Sequence, residues 1–211
     1  MLLESVMIAK VHSINLIRKR IKIAAKAAVA RNEGMRESAV AIILRNPTPQ
    51  TELLFIKRSE RVGDPWSGQM AFPGGHREVY DTGLKETAIR ETKEEIGLDL
   101  SNAEYFGSLE EQPAMARGRN INLVISPHVF YLKEEPVTSS NYEVDEIIWS
   151  NLGRLFSGEC HDTETYTLGT KPITCNGYRL EQGHFVWGLT YRMLKAFFTI
   201  LDSKWKSPRE L

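Results

Sequence analysis

The order of the elements predicted along this 211-residue chain indicates an α+β fold. Short apolar segments rich in β-branched residues recur on both sides of a central helical pattern, and a second long helical pattern lies near the C-terminus. We therefore expect a mixed β-sheet with a central helix and a C-terminal helix. The length suits one domain with added helices.

The predicted strands begin after a polar break at residues 31–37. "SAVAIILR" (38–45) and "ELLFIKR" (52–58) are typical of buried strands, and the two prolines between them favour a hairpin turn. A long loop at 59–75 ends in a short extended piece. Three further strands are expected at 103–111, 122–132 and 145–152. A helical turn, a late hairpin formed by "ETYTLG" and "GYRLEQGHFV", and a terminal helix in "WGLTYRMLKAFFTILDSKWK" complete the chain.

A basic amphipathic helix is predicted in residues 1–36, ahead of the main domain at 37–205 and a tail at 206–211. Its apolar residues recur at helical spacing and are Ile14, Ile17, Ile21, Ala25 and Ala28. Such a helix could be a transit peptide or a surface anchor. We favour a helix that docks its isoleucine stripe on the domain, because no small-residue cleavage site follows a clean apolar core. The side chains that this docking would leave in water are Arg18, Lys19 and Lys22.

The charges of the chain balance, since Lys plus Arg and Asp plus Glu both total 27. No overall field recruits nucleic acid or a membrane surface, and no apolar run is long enough to span a bilayer. The two cysteines, Cys160 and Cys175, form no CxxC pair, which favours reduced thiols in a cytoplasmic protein. We therefore predict a cytoplasmic protein without a nucleic-acid partner or stable membrane insertion, and a homodimer is compatible with the sequence.

The central helix is predicted from about Thr82 to Ile96, with Asp81 or Thr82 as its N-cap and Gly97 as its stop. At about 100° per residue, the face expected to be buried contains Leu84, Ala88, Ile89, Thr92 and Ile96. A helix that needed only solubility would place its glutamates on the opposite face.

Three glutamates, Glu91, Glu94 and Glu95, stand within five positions of this helix. On the helical wheel, Glu91 and Glu95 each lie about 20° from Leu84, at the edge of the buried face. An unpaired carboxylate is costly there, and the spacing brings all three side chains to one patch. One guanidinium, that of Arg90, cannot satisfy three carboxylates. A divalent cation such as Mg²⁺, which prefers carboxylate oxygen, could do so.

Two glycines, Gly74 and Gly75, follow "AFP", so the chain turns sharply before the helix. Glycine permits positive φ and close approach of the backbone to a ligand or an ion. A backbone carbonyl at this turn could therefore join the glutamates as a metal ligand.

The segment "GGHREVYDTGLKETAIRETKEEIGL" (74–98) resembles the Nudix box. The matching residues are Gly75, Arg90, Glu91, Glu94, Glu95, Gly97 and Leu98. Asp81 replaces the usual Glu, one extra residue separates it from Arg90, and Thr92 occupies an apolar position. The longer spacing with Asp is similar to the branch that includes coenzyme A pyrophosphatases.

Other segments resemble the same branch, so that the resemblance spans roughly residues 38 to 200. Upstream of the box, "LLFIKRS" (53–59) and "GQMAFPGG" (68–75) are similar, although the intervening "ERVGDPW" is longer and Arg61 is displaced. The later similar segments are "ISPHVFYL", "EVDEIIW" and "FVWGLTYRML".

This resemblance implies an α/β/α sandwich around a mixed β-sheet, and hydrolysis of a nucleoside diphosphate linked to another group with Mg²⁺ or Mn²⁺. We assign Glu91, Glu94, Glu95 and the Gly74 carbonyl to the metal. Glu91, Glu94 and Arg90 are the catalytic candidates, with Arg90 orienting Glu91. The candidates for substrate binding are Arg58, Arg61 and Gly75. The candidates for a general base are Glu110, Glu111, Glu143 and Glu146.

Several functions remain open at this point. Among substrates, coenzyme A-like carriers come first, followed by nucleoside diphosphate sugars, oxidised nucleotides or (d)NTPs. A sensor of the same fold would bind a nucleotide without hydrolysing it. An isomerase of related architecture would need a Cys/Glu pair, for which Cys160 and Cys175 give weak support. A structural protein with a charged helix is the remaining alternative.

Overall fold

The computed structural model describes residues 13–24, 27–48, 50–64, 66–116, 119–168 and 171–210. Four helices lie in these ranges: α1 (Ile14–Ile23), α2 (Leu84–Ile96), α3 (Leu152–Ser157) and α4 (Gly188–Leu201). The strands are β1 (Arg36–Arg45), β2 (Glu52–Arg58), β3 (Met70–Ala71), β4 (Gly74–His76), β5 (Glu104–Ser108), β6 (Gln112–Ala116), β7 (Arg119–Leu132), β8 (Val144–Asn151), β9 (His161–Leu168), β10 (Lys171–Arg179) and β11 (Phe185–Trp187).

The main sheet is mixed, as predicted. Its path runs β3-β2-β1-β7-β5, with β4 beside β1, β6 beside β7 and β8 beside β2. β1 and β7 are parallel over ten paired residues, from Arg36 with Leu123 to Arg45 with Leu132, and the other pairings are antiparallel. The predicted hairpin of the first two strands is confirmed by the antiparallel pairing of β1 and β2.

The apolar run of β1 is buried on both faces because helices cover the sheet on both sides. Ala39, Ala41 and Ile43 pack in one cluster with Ala88 and Ile96 of α2. The residues between them face a second cluster that contains side chains of α1 and α4; these residues are Val40, Ile42 and Leu44. This alternation confirms the predicted α/β/α sandwich.

The N-terminal helix α1 docks its isoleucine stripe on the domain, which is the interpretation that we favoured. Ile14, Ile17 and Ile21 are buried in the cluster shared with α4, and the predicted stripe residue Ala25 lies outside the described residues. Arg18 is left only partly in water, with 30% of its side chain exposed. Its guanidinium is 2.6 Å from the Glu104 carboxylate and 5.3 Å from the centre of the Phe106 ring, because α1 lies against β5.

The start of α2 differs from the prediction. Gly83 is its N-cap and provides no side-chain hydrogen bond, so neither Asp81 nor Thr82 caps the helix. The Asp81 carboxylate instead accepts a hydrogen bond from the Thr87 hydroxyl, at 2.9 Å. The end agrees with the prediction, since Gly97 adopts the left-handed conformation with φ 67°.

The late antiparallel sheet has three strands, so the prediction of a single hairpin is wrong. β9 pairs with β10, and β10 pairs with β11. The predicted second strand, "GYRLEQGHFV", is divided by a turn. At this turn the Leu180 amide donates to the His184 carbonyl at 2.8 Å, and the φ of Gly183 is 87°. Within the described ranges, none of the helices has both the length and the apolarity needed to cross a bilayer.

Candidate active site

Helix α2 presents Glu95 to the interior of the domain because its neighbours on the helix pack on the sheet. Ala88, Thr92 and Ile96 are fully buried, and the Thr92 hydroxyl donates to the Ala88 carbonyl at 2.7 Å. That internal bond allows a polar residue to occupy the apolar position of the box. Glu95 shares this buried side and is only 2% exposed.

The environment of Glu95 disfavours its charge. The Gly74 amide donates to Glu95 Oε2 at 2.8 Å, and none of the described Lys, Arg or His side chains forms an ion pair with this carboxylate. Burial raises the pKa of Glu95 to about 8, although the Gly74 amide and the nearby Arg58 act in the opposite direction. The carboxylate would therefore gain from a cation that the described side chains do not supply.

Glu91 stands beside Glu95 and is partly buried, with 16% of its side chain exposed. Burial raises the pKa of Glu91, while Arg90 lowers it through a 2.9 Å hydrogen bond. Its carboxylate lies so close to Gly75 that a Cβ at that position would be 2.5 Å from it. A Cβ on Gly74 would be 2.2 Å from the Ala39 carbonyl, and its φ is 152°. Gly74 is therefore required by its backbone conformation and its close approach to β1, whereas a side chain at position 75 would displace the Glu91 carboxylate.

Arg90 connects the start of the helix with its glutamates. Its Nε and Nη2 donate to the two carboxylate oxygens of Asp81, each at 3.0 Å, and its Nη1 donates to Glu91 and Glu94. Nη2 also donates to the His76 carbonyl at 2.8 Å. These contacts agree with a residue that orients Glu91. Asp81, which stands where the Nudix box usually has Glu, is thus held by two hydrogen bonds from Arg90.

The structure does not bring all three glutamates into one cavity. Glu91 and Glu95 line a cavity of about 380 Å³, but Glu94 does not, and 55% of its side chain is exposed. In the part of the chain that the structure describes, no three His, Cys, Asp or Glu side chains are grouped as a ready metal site. Of these three glutamates, two therefore face the cavity, and Glu94 is paired with Arg90 on the outer side of the helix.

The cavity has a polar end and an apolar wall. At the polar end lie Glu91, Glu95, Gly74, Gly75 and Arg58. The apolar wall comes from the sheet and from α4 and is formed by Val40, Phe72, Leu123, Ile125, Leu189 and Met193. One opening thus combines acceptors for a cation with a surface suited to an uncharged group.

The two predicted phosphate-binding arginines have different positions. Arg58 lines the cavity, where its Nη2 donates to Asp64 at 2.6 Å and its buried Nε has no hydrogen-bond partner among the described residues. Arg61 is not part of the lining. Its Nη1 donates to Glu143 at 3.1 Å, and its guanidinium lies 4.7 Å from the centre of the Tyr142 ring.

Of the four carboxylates considered as a general base, Glu143 alone among the described residues lines the cavity. Glu111 is paired with Arg31, and Glu146 with Lys57 and His184. Glu110 is exposed outside the cavity. The charge of Glu143 adds to the effect of burial and raises the pKa of both Glu91 and Glu95. The three carboxylates are therefore close enough to interact electrostatically.

Sequence reasoning missed Asn141, which holds Glu143 next to the end of α2. The Asn141 backbone amide donates to the Glu95 carbonyl at 2.8 Å, and its Nδ2 donates to the Glu94 carbonyl at 2.9 Å. Its Oδ1 accepts from the Glu143 amide at 2.7 Å. Asn141 therefore satisfies carbonyls that a helix end leaves without partners and directs Glu143 to the cavity. In the sequence Asn141 is an Asn within a loop, and no motif marks it as part of a site.

The residues present fit a hard divalent cation. Glu95 is a buried carboxylate without an ionic partner among the described residues. The Glu91 carboxylate lies nearby, packed closely against Gly75. Carboxylate and carbonyl oxygens are the ligands that Mg²⁺ and Mn²⁺ prefer. The fit rests on Glu91 and Glu95, since the Glu94 side chain faces outward.

Comparison with known proteins agrees with this geometry. The sequence matches the NUDIX domain family over residues 35–165. It is 39% identical to the uncharacterized protein C14C4.10c of Schizosaccharomyces pombe over 112 residues, which are 51% of this chain and 34% of that protein. It is 30% identical to the mitochondrial coenzyme A diphosphatase NUDT8 of Mus musculus over 143 residues, which are 65% of each chain. The chain thus spans about a third and just under two thirds of these two relatives.

The structure of a MutT/nudix family protein from Enterococcus faecalis gives a TM-score of 0.53 over 90% of this chain and 75% of that one. Its identity of 19% makes this a likeness of fold alone. The family match covers more than half of the chain and includes the entire glycine–glutamate segment. The chain therefore belongs to the Nudix hydrolase family.

Proposed function

We propose that this chain hydrolyses the diphosphate linkage of a nucleoside diphosphate derivative with Mg²⁺ or Mn²⁺, and that its substrate is coenzyme A or a related nucleotide. The observation that carries the proposal is the buried carboxylate of Glu95, which faces the cavity beside Glu91 without an ionic partner among the described residues. A folded domain keeps such a group at a cost unless a ligand compensates it.

Glu91 and Glu95 would hold the cation, with the Gly74 carbonyl as a further ligand; Glu94, which faces outward, is not part of this set. The cation supplies neutralisation of phosphate oxygens and activation of water. Arg90 orients Glu91 through their 2.9 Å hydrogen bond. Arg58 contributes a guanidinium to the polar end of the cavity, where it can donate to a phosphate oxygen. The absence of a side chain at Gly75 leaves room for the Glu91 carboxylate at the polar end of the cavity.

We propose Glu143 as the general base. It lines the cavity, and Arg61 and Asn141 fix its side chain and its backbone, respectively. In this role its carboxylate accepts a proton from the attacking water as the oxygen of that water bonds to phosphorus. The bond from that phosphorus to the bridging oxygen breaks, and the leaving phosphate keeps the electron pair. Arg61 then acts on the reaction through Glu143, since it does not line the cavity.

The choice of coenzyme A is supported by the name of the mouse relative and by the segments around residues 53–59 and 68–75. Nucleoside diphosphate sugars, oxidised nucleotides and (d)NTPs are the alternatives. The cytoplasmic location and the homodimer stay predictions, and the mouse relative is described as mitochondrial.

The test is a substrate panel incubated with the full chain and Mg²⁺ or Mn²⁺, with products identified by mass spectrometry. Coenzyme A is expected to give adenosine 3′,5′-bisphosphate and 4′-phosphopantetheine. Release of nucleoside monophosphate and pyrophosphate from (d)NTPs alone would favour the triphosphate alternative. Binding without turnover of any compound would favour the sensor. In Glu143→Gln, kcat should fall while the affinity for Mn²⁺ is retained.

A further inference from the structure

A second cavity, of about 400 Å³, adjoins the one described above. Its lining comes from the loop before β3, from β9 and from the end of the late sheet, and consists of Ser67, Gly68, Gln69, Met70, Glu164, Tyr166, Gly183, His184, Phe185 and Trp187. Gln69 and Met70 line both cavities. Met70 is buried but Gln69 is partly exposed, so Gln69 stands at the junction between the two openings.

Aromatic rings form one side of this second cavity. The Tyr166 and Trp187 rings are stacked, with centroids 4.5 Å apart and an interplanar angle of 21°. Phe185 lies 6.5 Å from Tyr166 and is buried, whereas Tyr166 and Trp187 are only partly buried. A pair of rings that served only the core would be covered. Flat aromatic surfaces at a cavity are suited to a planar heteroaromatic group.

The charges around the second cavity favour an uncharged occupant over a phosphate. Glu164 and His184 are the titratable side chains of the lining besides Tyr166. Glu164 accepts a hydrogen bond from Arg179 at 2.7 Å, and His184 lies 3.0 Å from the Glu146 carboxylate. No lysine or arginine belongs to the lining among the described residues. An uncharged ring with hydrogen-bonding edges fits this environment better than an anion.

A nucleoside diphosphate derivative has two substituents that leave the diphosphate in different directions. With the diphosphate at Glu91 and Glu95, the apolar wall of the first cavity can receive one substituent. The aromatic cavity, which shares Gln69 and Met70 with the first, can receive the other. The first cavity, at about 380 Å³, is at the small end of the range for ligand sites. The adjoining cavity supplies the remaining space.

We propose that the second cavity binds the nucleobase of the substrate against the Tyr166–Trp187 pair. This inference rests on the proposed function for its link to catalysis, but base binding can be measured without turnover. The site requires no phosphate on the ribose, because its lining offers no unpaired cation among the described residues.

The test compares adenosine 5′-monophosphate with ribose 5-phosphate, which lacks the base, by calorimetry on the metal-free full chain. The monophosphate should bind at least about tenfold more tightly, because a base stacked on an aromatic side chain contributes about that much. Trp187→Leu and Tyr166→Leu should remove the difference, and Trp187→Phe should retain most of it. Trp149→Leu is the matched control, since Trp149 lines neither cavity. Trp187 makes no side-chain capping bond to α4, so its replacement removes none.

Equal affinity for the two compounds would overturn the inference. So would a preference that Trp187→Leu leaves intact and Leu189→Ala removes, because the base would then bind in the first cavity. If no compound is hydrolysed but Trp187 still governs base binding, the proposed function fails and the base site stands. If coenzyme A is hydrolysed with a KM that Trp187→Leu does not change, the proposed function stands and the base site fails.

Discussion

Two buried carboxylates at opposite ends of the Nudix segment differ in their partners. Asp81, before α2, is 7% exposed and receives two hydrogen bonds from Arg90, one from the Thr87 hydroxyl and one from the Glu78 amide. Glu95, near the end of α2, is 2% exposed and receives one from the Gly74 amide. The pKa of Asp81 falls to about 2 and that of Glu95 rises to about 8.

This difference separates a structural carboxylate from one available for ligand binding. Arg90 neutralises Asp81 and fixes the beginning of the helix, whereas Glu95 is buried without a cation from the described side chains. Burial alone therefore does not identify the site. Our proposal for the site rests on burial together with the lack of an ionic partner among the described residues.

The largest effect on folding is expected from Arg90→Met. This variant leaves Asp81 buried without its cation and should lower the free energy of unfolding by about 3 kcal/mol, measured by urea denaturation at pH 7. Lys93→Met, on the exposed face of the same helix, is the control and should cost a few tenths of a kcal/mol. Equal losses in the two variants would show that Arg90 has no special role.

Glu95→Gln should abolish most turnover while retaining the fold. The Gln side chain can still accept the Gly74 amide but cannot neutralise a cation, so kcat/KM should fall by roughly 10²- to 10³-fold. Glu86→Gln, an exposed change on the same helix, is the matched control. Mn²⁺ binding followed by calorimetry should weaken in parallel. Unchanged turnover and unchanged Mn²⁺ binding would remove Glu95 from the site.

The two carboxylates should give stability opposite dependences on pH. Asp81 has a folded pKa below its ordinary 3.8, so its contribution, about 2 kcal/mol, is present above pH 3.8 and is lost as the pH falls towards 2. Glu95 has a folded pKa above its ordinary 4.5, so the metal-free protein should lose stability as the pH rises from 4.5 to 8.

Urea denaturation of Asp81→Asn, Glu95→Gln and the unsubstituted chain at pH 3, 5 and 8 measures both effects. The advantage of Glu95→Gln over the unsubstituted chain should grow towards pH 8, and Mn²⁺ should reverse it by stabilising the charged carboxylate. Parallel profiles for all three proteins would contradict the assigned environments.

Asn141→Ala should give the smallest effect, on both stability and turnover. Two side-chain hydrogen bonds are lost, to the Glu94 carbonyl and from the Glu143 amide, at a cost of about 1–2 kcal/mol. If Asn141 positions Glu143, kcat should fall more than KM rises, and Asn141→Asp, which keeps the acceptor for Glu143, should recover part of kcat. A purely structural residue would leave kcat unchanged in the folded fraction.

Local patterns in the sequence determined much of this protein. The apolar runs at 38–45 and 52–58 predicted the paired strands, which extend over 36–45 and 52–58, and Gly97 predicted the end of α2. The segment from Gly74 to Leu98 indicated the family through its resemblance to the Nudix box. Helical spacing by itself predicted only that the clustered glutamates share one side of α2. These features depend on neighbouring residues or on fixed helical spacing, so they can be read without tertiary contacts.

The tertiary structure decided which charges find partners. The spacing of residues 91, 94 and 95 predicted that all three glutamates converge on one patch, but Glu94 is paired with Arg90 and does not line the cavity. Asp81, expected as a possible cap, pairs with Arg90, and Glu143 reaches the cavity through Asn141 from a distant loop. The second cavity likewise joins a loop before β3 to the last strands. The energy of a charge depends on burial and on partners far apart in the chain, and only the folded arrangement brings these together.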